Sequence, residues 1–236
     1  MLIFLDIETT GLESTDKIVS IGLIAQESDN ITSIYELVNE GKKIPPLASS
    51  INHITNEMIK DKPKLQDSKA YKFLQEHNTK DTTIVAHNVK FDLQKLSTCG
   101  FEFQGTIIDT LRVSKHLIKE CESFALQFLR YELKLYKNEK QEALTCEIED
   151  VLSAHNAISD ALFVKLLYEY LLDLADKEQM IELSFKNVLM EKFDFGKYSG
   201  RYIEEVAMID SGYLQWMLAN VTDLDEDLKY SIEYYM

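Results

Sequence analysis

The opening run MLIFLDIET sets the strongest constraint on what this chain can become. Residues 1–6 are rich in Leu, Ile and Phe and read as a buried strand, yet the run closes on Asp6, Ile7 and Glu8. Strand side chains alternate between faces, so Asp6 and Glu8 project from one side while Ile7 points into the core. A carboxylate taken out of water without a partner is costly. Two of them on one face call for a cation, and a hard divalent ion such as Mg²⁺ or Mn²⁺ takes oxygen ligands. A solvated strand end would also accommodate the pair, so the rest of the chain has to decide.

The segments that follow, KIVSIGLIAQ at 17–26 and ITSIYELV at 31–38, are separated from the first run and from each other by Gly11 and by Ser-Asp-Asn at 28–30. This pattern predicts an antiparallel meander. Beyond the Pro-Pro loop at 45–46, the sequence predicts a helix near 67–77, a strand at 82–86, a helix over 89–98 stopped by Gly100, and a strand at 106–109. From there the pattern turns helical: LRVSKHLIKE, then SFALQFLRYEL with Ser123 as N-cap, then an amphipathic helix over 156–177. Hairpin-connected strands followed by helix-connected strands predict an α/β fold, a mixed sheet with helices on its faces.

Asp and Glu outnumber Lys and Arg by 40 to 25, giving a net charge of −15, so the average surface repels polyanions and membranes. A nucleic-acid substrate would need metal ions or a local basic patch. Cys99, Cys121 and Cys146 lack metal-knuckle spacing and are odd in number, which points to a reducing, cytoplasmic setting. The most apolar later stretch, ALFVKLLYEYLLDLA, is interrupted by Lys165, Glu169 and Asp173, and no secretory or membrane-spanning segment is expected.

Two further stretches carry candidate chemistry. IVAHNVKFDLQKL places Asp92 about one turn into a helix that starts just after a strand, with Asn88 at its N-cap and Phe91 and Leu96 anchoring it. AHNAISDALFVKLL offers His155 ahead of a helix and Asp160 on it, so that a mobile imidazole can hang over a site to which a fixed carboxylate belongs.

DIETTGL, HNVKFD and HNAISD together resemble, in order, the three motifs of the DnaQ-like 3′ to 5′ exonucleases of the DEDDh subgroup. INHIT at 51–55 and DTL at 109–111 fall where that family has similar residues. The resemblance covers about residues 1–175 and implies a ribonuclease H-like sheet. It further implies that Asp6, Glu8, Asp92 and Asp160 hold two Mg²⁺ or Mn²⁺ ions and that His155 is the general base. Thr9, Thr10, Gly11 and Leu12 would cradle and wedge the terminal nucleotide, with Asn88 and Phe91 nearby. The implied substrate is the 3′ end of DNA, single-stranded or unpaired. Proofreading beside a polymerase, RNA trimming and a catalytically silent binding module are the alternatives. The silent reading is disfavoured because all five chemical positions hold the right residue types.

After Lys177 the composition changes, and residues 179–236 read as a small second unit following a 1–178 exonuclease domain. Its DFGKYSGRYIEEVAMIDSGYLQWML, like SKHLIKECESFALQFLRYEL at 114–133, resembles the exonuclease X-like group. Phe195, Tyr213 and Trp216 are expected to form its core ahead of contacting nucleic acid. For QMIELSF at 179–185, an amphipathic connecting helix accounts for Ile181, Leu183 and Phe185. The alternative is a sliding-clamp peptide starting at Gln179, of the kind carried by proofreading subunits, although its spacing is one residue too long.

Overall fold

The computed structural model describes residues 1–118, 121–148 and 152–236. The chain divides into two compact units, Met1–Ser184 and Phe185–Met236. The first is built on a five-stranded sheet: β1 (Leu2–Thr9), β2 (Ile18–Glu27), β3 (Asn30–Leu37), β4 (Thr83–Ala86) and β5 (Thr106–Asp109). The order across the sheet is β3-β2-β1-β4-β5. The expected meander is present, with β1, β2 and β3 antiparallel, whereas β4 and β5 run parallel to β1. Because β4 pairs only with Leu2–Phe4, the second half of β1 projects past its neighbour. Open crevices of this kind, at the carboxyl ends of parallel strands, are where α/β sheets bind ligands.

The helices of this unit are α1 (Pro46–Asn52), α2 (Asn56–Ile59), α3 (Lys69–Glu76), α4 (Val89–Thr98), α5 (Thr110–Leu117), α6 (Leu126–Glu132), α7 (Glu139–Thr145), α8 (Ala157–Leu172) and α9 (Lys177–Leu183). The alternation of β1 sorts its side chains into two cores. Ile3, Leu5 and Ile7 join Leu74 of α3 and Leu96 of α4 on one face. Phe4 joins Ile24, Val85 and the apolar residues of α8 on the other. Asp6 and Glu8 continue the row of Phe4 and therefore emerge on the α8 side.

Several helix expectations need correction. The helix expected over 156–177 stops at Leu172 because Asp176 starts a new one, α9, through a reciprocal capping box with Gln179. Nor is α8 amphipathic: every residue from Ala157 to Tyr168 is buried, since the sheet covers one side and α5, α6 and α7 pack on others. Ser123 does not cap α6, which begins three residues later with Ala125 at its N-cap; the Ser123 hydroxyl instead accepts from the Ala125 N–H at 3.3 Å in the preceding turn. Of LRVSKHLIKE, helix α5 accounts for the residues up to Leu117, and its last two residues lie outside those described. The unit boundary falls after Ser184 rather than after residue 178, because α9 packs on β5 and α5.

The second unit contains α10 (Ile203–Ile209), α11 (Ser211–Asn220) and α12 (Glu226–Tyr235), preceded by a narrow hairpin closed by a Lys192–Tyr202 bridge. Its core is Phe193, Ile203, Val206, Leu214, Met217, Leu228 and Ile232. The expectation that Phe195 and Trp216 build this core is wrong: they are 49% and 53% exposed. In α11 the inward stripe is carried by Leu214 and Met217, which turns Trp216 outward. Among the described residues no helix is long and apolar enough to cross a membrane.

Candidate active site

The carboxylates of β1 meet α8 through a glycine. Asp6 is paired across the sheet with Gly22 of β2, and a Cβ at Gly22 would lie 2.3 Å from the Ala157 carbonyl carbon and the Ile158 nitrogen. Only hydrogen at that position lets the first turn of α8 press against the strand pair. Asn156 caps the helix by accepting from the Ser159 N–H, and Asp160 follows in the first turn, buried. His155 precedes the cap with φ +57° and stays exposed. Ligand atoms of Glu8, His155 and Asp160 all lie within 4.8 Å of one another.

Asp92 arrives from the opposite face, on α4, which follows β4. It is buried, and the backbone N–H of Ile7, the residue between Asp6 and Glu8, favours its anion. Asn88 occupies the N-cap position of α4 at φ +66°, but its side chain makes no cap hydrogen bond. Its backbone N–H donates instead to Asp109 at 3.0 Å. The same Asp109 oxygen accepts from Leu111 and caps α5, so one buried carboxylate organises the turn that delivers Asp92.

Burial raises all four carboxylates, and repulsion from neighbouring carboxylates adds to it at Asp6, Glu8 and Asp92. Burial first, then the charges of Asp92, Asp160 and Glu8, hold Asp6 well above the ordinary carboxylate range. Glu8 is pushed up to about 8 by burial and by Asp160. Asp160 is pushed up to about 7 by burial, which outweighs the His155 N–H, Arg130 and Gln127, all of which favour its anion. Asp92 is also raised, by burial and by Asp109 and Glu8. Clustered oxygen anions held against their own repulsion form the donor set that hard divalent cations take. The residues present therefore fit such ions.

Comparison with known proteins gives this geometry a family. A family model described as "Exonuclease" matches residues 3–168, and one described as "Exodeoxyribonuclease X-like C-terminal" matches residues 193–222. The chain belongs to this exonuclease family. The exonuclease is 29% identical over 243 residues to exodeoxyribonuclease 10 of Escherichia coli K12, covering 100% of this chain and 99% of the relative. It is 29% identical over 168 residues to the DNA polymerase III subunit epsilon of Treponema pallidum, covering 64% of this chain and 76% of the relative. The structure of exonuclease X in complex with 5′ overhanging duplex DNA superposes with TM-score 0.60 at 24% identity, covering 78% of this chain and 99% of that one, which supports the ribonuclease H-like fold.

The loop after the carboxylate pair of the exonuclease is tied down from inside. The Thr10 hydroxyl donates to Asp16 at 2.7 Å and accepts from the Lys17 N–H, so it is engaged within the loop and not turned outward. The Thr9 hydroxyl donates to the Gly11 carbonyl at 2.7 Å. A Cβ at Gly11 would sit 2.6 Å from Asp16 Oδ2, which explains the glycine. Hydrogen bonds from Lys42 and Thr10 hold Asp16 down to about 2. The Lys95 ammonium donates to the Glu13 and Asp16 carbonyls, and Asn52, from the INHIT stretch, donates to the Thr9 carbonyl at 3.3 Å. Leu12 stands at the loop's tip, 84% exposed. Phe91 is half-buried, with the Lys95 ammonium 5.4 Å from its ring centroid.

Sequence reasoning missed the groups behind the ligand set. The Gln127 amide donates to Asp160 Oδ1 at 2.6 Å. Arg130 in turn donates to the Gln127 carbonyl at 3.1 Å and to both oxygens of Glu139. This strut joins α6, α7 and α8, whose relative placement no local pattern reveals. Gly22 did leave a signal, as a glycine in the middle of a strand rich in Ile and Val.

Proposed function

We propose that this exonuclease hydrolyses phosphodiester bonds at the 3′ end of DNA, at single-stranded or unpaired termini, in repair or trimming. We further propose that Asp6, Glu8, Asp92 and Asp160 hold two Mg²⁺ or Mn²⁺ ions and that His155 is the general base. The observation that carries this reading is the meeting of Glu8, His155 and Asp160 ligand atoms within 4.8 Å beside Asp6 and Asp92, in a cluster of carboxylates whose pKa burial raises. When bound, divalent ions of this kind stabilise the attacking and leaving oxygens of an in-line displacement at phosphorus.

The protein's own residues do the rest. His155, exposed at the mouth of the site, takes the proton from the attacking water and returns it to solvent. Leu12 wedges against the terminal base from a loop that Asp16, Lys42 and Lys95 hold in place. The backbone of Thr9, Thr10 and Gly11 lines the approach, with Asn88 and Phe91 beyond it. A net charge of −15 does not oppose the reading, since removing one terminal nucleotide needs contact with only a few phosphates. DNA is favoured as substrate by the relative named an exodeoxyribonuclease, which matches this chain from end to end. Proofreading beside a polymerase is the second reading, supported by the likeness to an epsilon subunit.

The test is a 5′-labelled DNA strand incubated with Mg²⁺. Successive 3′ shortening is expected, abolished in Asp6→Ala and slowed about 10²- to 10⁴-fold in His155→Ala. Full activity in Asp6→Ala would remove the carboxylates from the mechanism, and shortening from the 5′ end would reverse the polarity.

A further inference from the structure

The second unit carries an aromatic group that its core uses only in part: Tyr198 and Tyr213 pack against the core, while Trp216 is left exposed. Tyr213 and Trp216, three residues apart on α11, stack with ring centroids 6.2 Å apart and planes 23° from parallel. Tyr198 meets Tyr213 edge-on at 5.2 Å. The Lys197 ammonium lies 4.7 Å from the Tyr198 ring centroid and 5.6 Å from that of Tyr213. Asp210 fixes this group by accepting from the Tyr198 hydroxyl at 2.7 Å and from Lys197 at 3.0 Å. Gly196, at φ +74°, makes the turn that brings Lys197 over the rings. Phe195 stands beside it, half-exposed. A small unit short of apolar surface would be expected to bury an indole, and this one holds Trp216 out on a pre-ordered stack.

The cations come from the turn that precedes the aromatic helix, which itself lies in the acidic part of the unit. Residues 186–201, which include the Lys197 turn, contain four basic and two acidic residues, whereas 202–236 contain one basic and eight acidic. The Lys197–Asp210 and Arg201–Glu205 pairs are both solvent-exposed at 3.0 Å, and exposed pairs contribute little, so their cations can turn to a phosphate at small cost. Flat aromatic faces flanked by cations that follow a phosphate backbone are how proteins hold single strands without reading sequence.

We propose that Trp216, Tyr213 and Lys197 form a stacking platform for single-stranded DNA, built wholly from residues of the C-terminal unit. The inference rests on the DNA reading above. It gives a strongly acidic nuclease a hold on stretches of strand beyond the terminal nucleotides. Trp216 is the sole tryptophan of the chain, so its emission reports on this surface directly.

The experiment titrates the full-length protein, in chelator so that nothing is cleaved, with a strand of about a dozen thymidylates. Saturable quenching of Trp216 is expected, together with much weaker quenching by an abasic strand of equal charge. By anisotropy of the labelled strand, Trp216→Ala should weaken binding roughly five-fold or more, Trp216→Phe should restore most of it, and Lys197→Glu should also weaken it. With Mg²⁺, all three variants should cleave a trinucleotide at the parental rate. Unchanged emission at strand concentrations that saturate the anisotropy would overturn the platform, as would equal quenching by the abasic strand. Failure of the exonuclease reading would look different: the strand would bind and quench Trp216, yet would not be shortened when Mg²⁺ is added.

Discussion

Helix α8 carries two buried charges five residues apart, and the protein treats them in opposite ways. Lys165 is enclosed, but its ammonium pairs with Glu142 at 2.6 Å and with Glu169 one turn on. Burial alone would lower its pKa, yet those two carboxylates hold it above the ordinary lysine value. Asp160 is equally enclosed, and although Arg130, Gln127 and backbone N–H groups favour its anion, burial outweighs them and leaves it raised to about 7, while its own charge raises Asp6 and Glu8. Where a buried charge serves the fold, the chain supplies the counter-charge. Where the counter-charge must come from outside, the chain leaves anions in excess, and that imbalance marks the site better than any single residue does.

The largest test of this contrast is Asp160→Asn. Cleavage should fall roughly a thousand-fold or more, the several kcal/mol of charge stabilisation that bound ions supply. The metal-free protein should melt at the same temperature as the parent or higher, because one of four mutually repelling groups is gone. A clear drop in the metal-free melting temperature would place Asp160 with the structural charges. Lys165→Ala should do the reverse. It strands Glu142 and Glu169, and because Glu169 is 44% exposed the loss should sit near the lower end for a broken buried pair, about 3 kcal/mol by urea unfolding. Activity per folded molecule should hold.

Gln127→Leu sharpens the comparison at smaller scale. Gln127 touches Asp160 but is not a candidate ligand, so it should act by orienting the carboxylate. Removing it should weaken Mn²⁺ binding, measured by calorimetry, about 10- to 100-fold, with little change in the metal-free melting temperature. Unchanged Mn²⁺ affinity would reduce the Glu139–Arg130–Gln127 strut to packing.

How much of this was legible in the sequence depends on how local each signal was. Asp6 and Glu8 could be placed on one face because strand alternation is fixed by backbone geometry, and the register with Phe4 bears that out. The strands of the meander and the helix that carries Asp92 were legible for the same reason, each being bounded by its own turn residues. The burial of Lys165 was not legible: its partner Glu142 lies on a different helix, so α8 read as amphipathic when neighbouring helices in fact enclose it. Trp216 failed for a related reason. Its apolar character suggested a core, but Leu214 and Met217 fill the inward stripe of α11, and only packing decides which side faces in.

The smallest expected effect bears on the charge imbalance itself. Glu8 at about 8 and Asp160 at about 7 hold their protons far more tightly in the folded chain than an unfolded carboxylate near 4. Their contribution to stability is complete below about pH 4 and is lost as pH rises through 7 and 8, because the folded state must then carry the anions. The melting temperature of the metal-free protein should therefore decline from pH 5 to pH 9. Mg²⁺ replaces protons at the same oxygens, so at a hundred-fold excess over its dissociation constant it should raise the melting temperature by roughly 5 °C at pH 8 and by less at pH 5. The double variant Glu8→Gln, Asp160→Asn should reduce both dependences, leaving the part that Asp6 and Asp92 carry. Paired charges such as Lys165 contribute no slope in this range, so a decline that survived in the double variant would be carried first by Asp6 and Asp92, the two raised carboxylates left in the cluster.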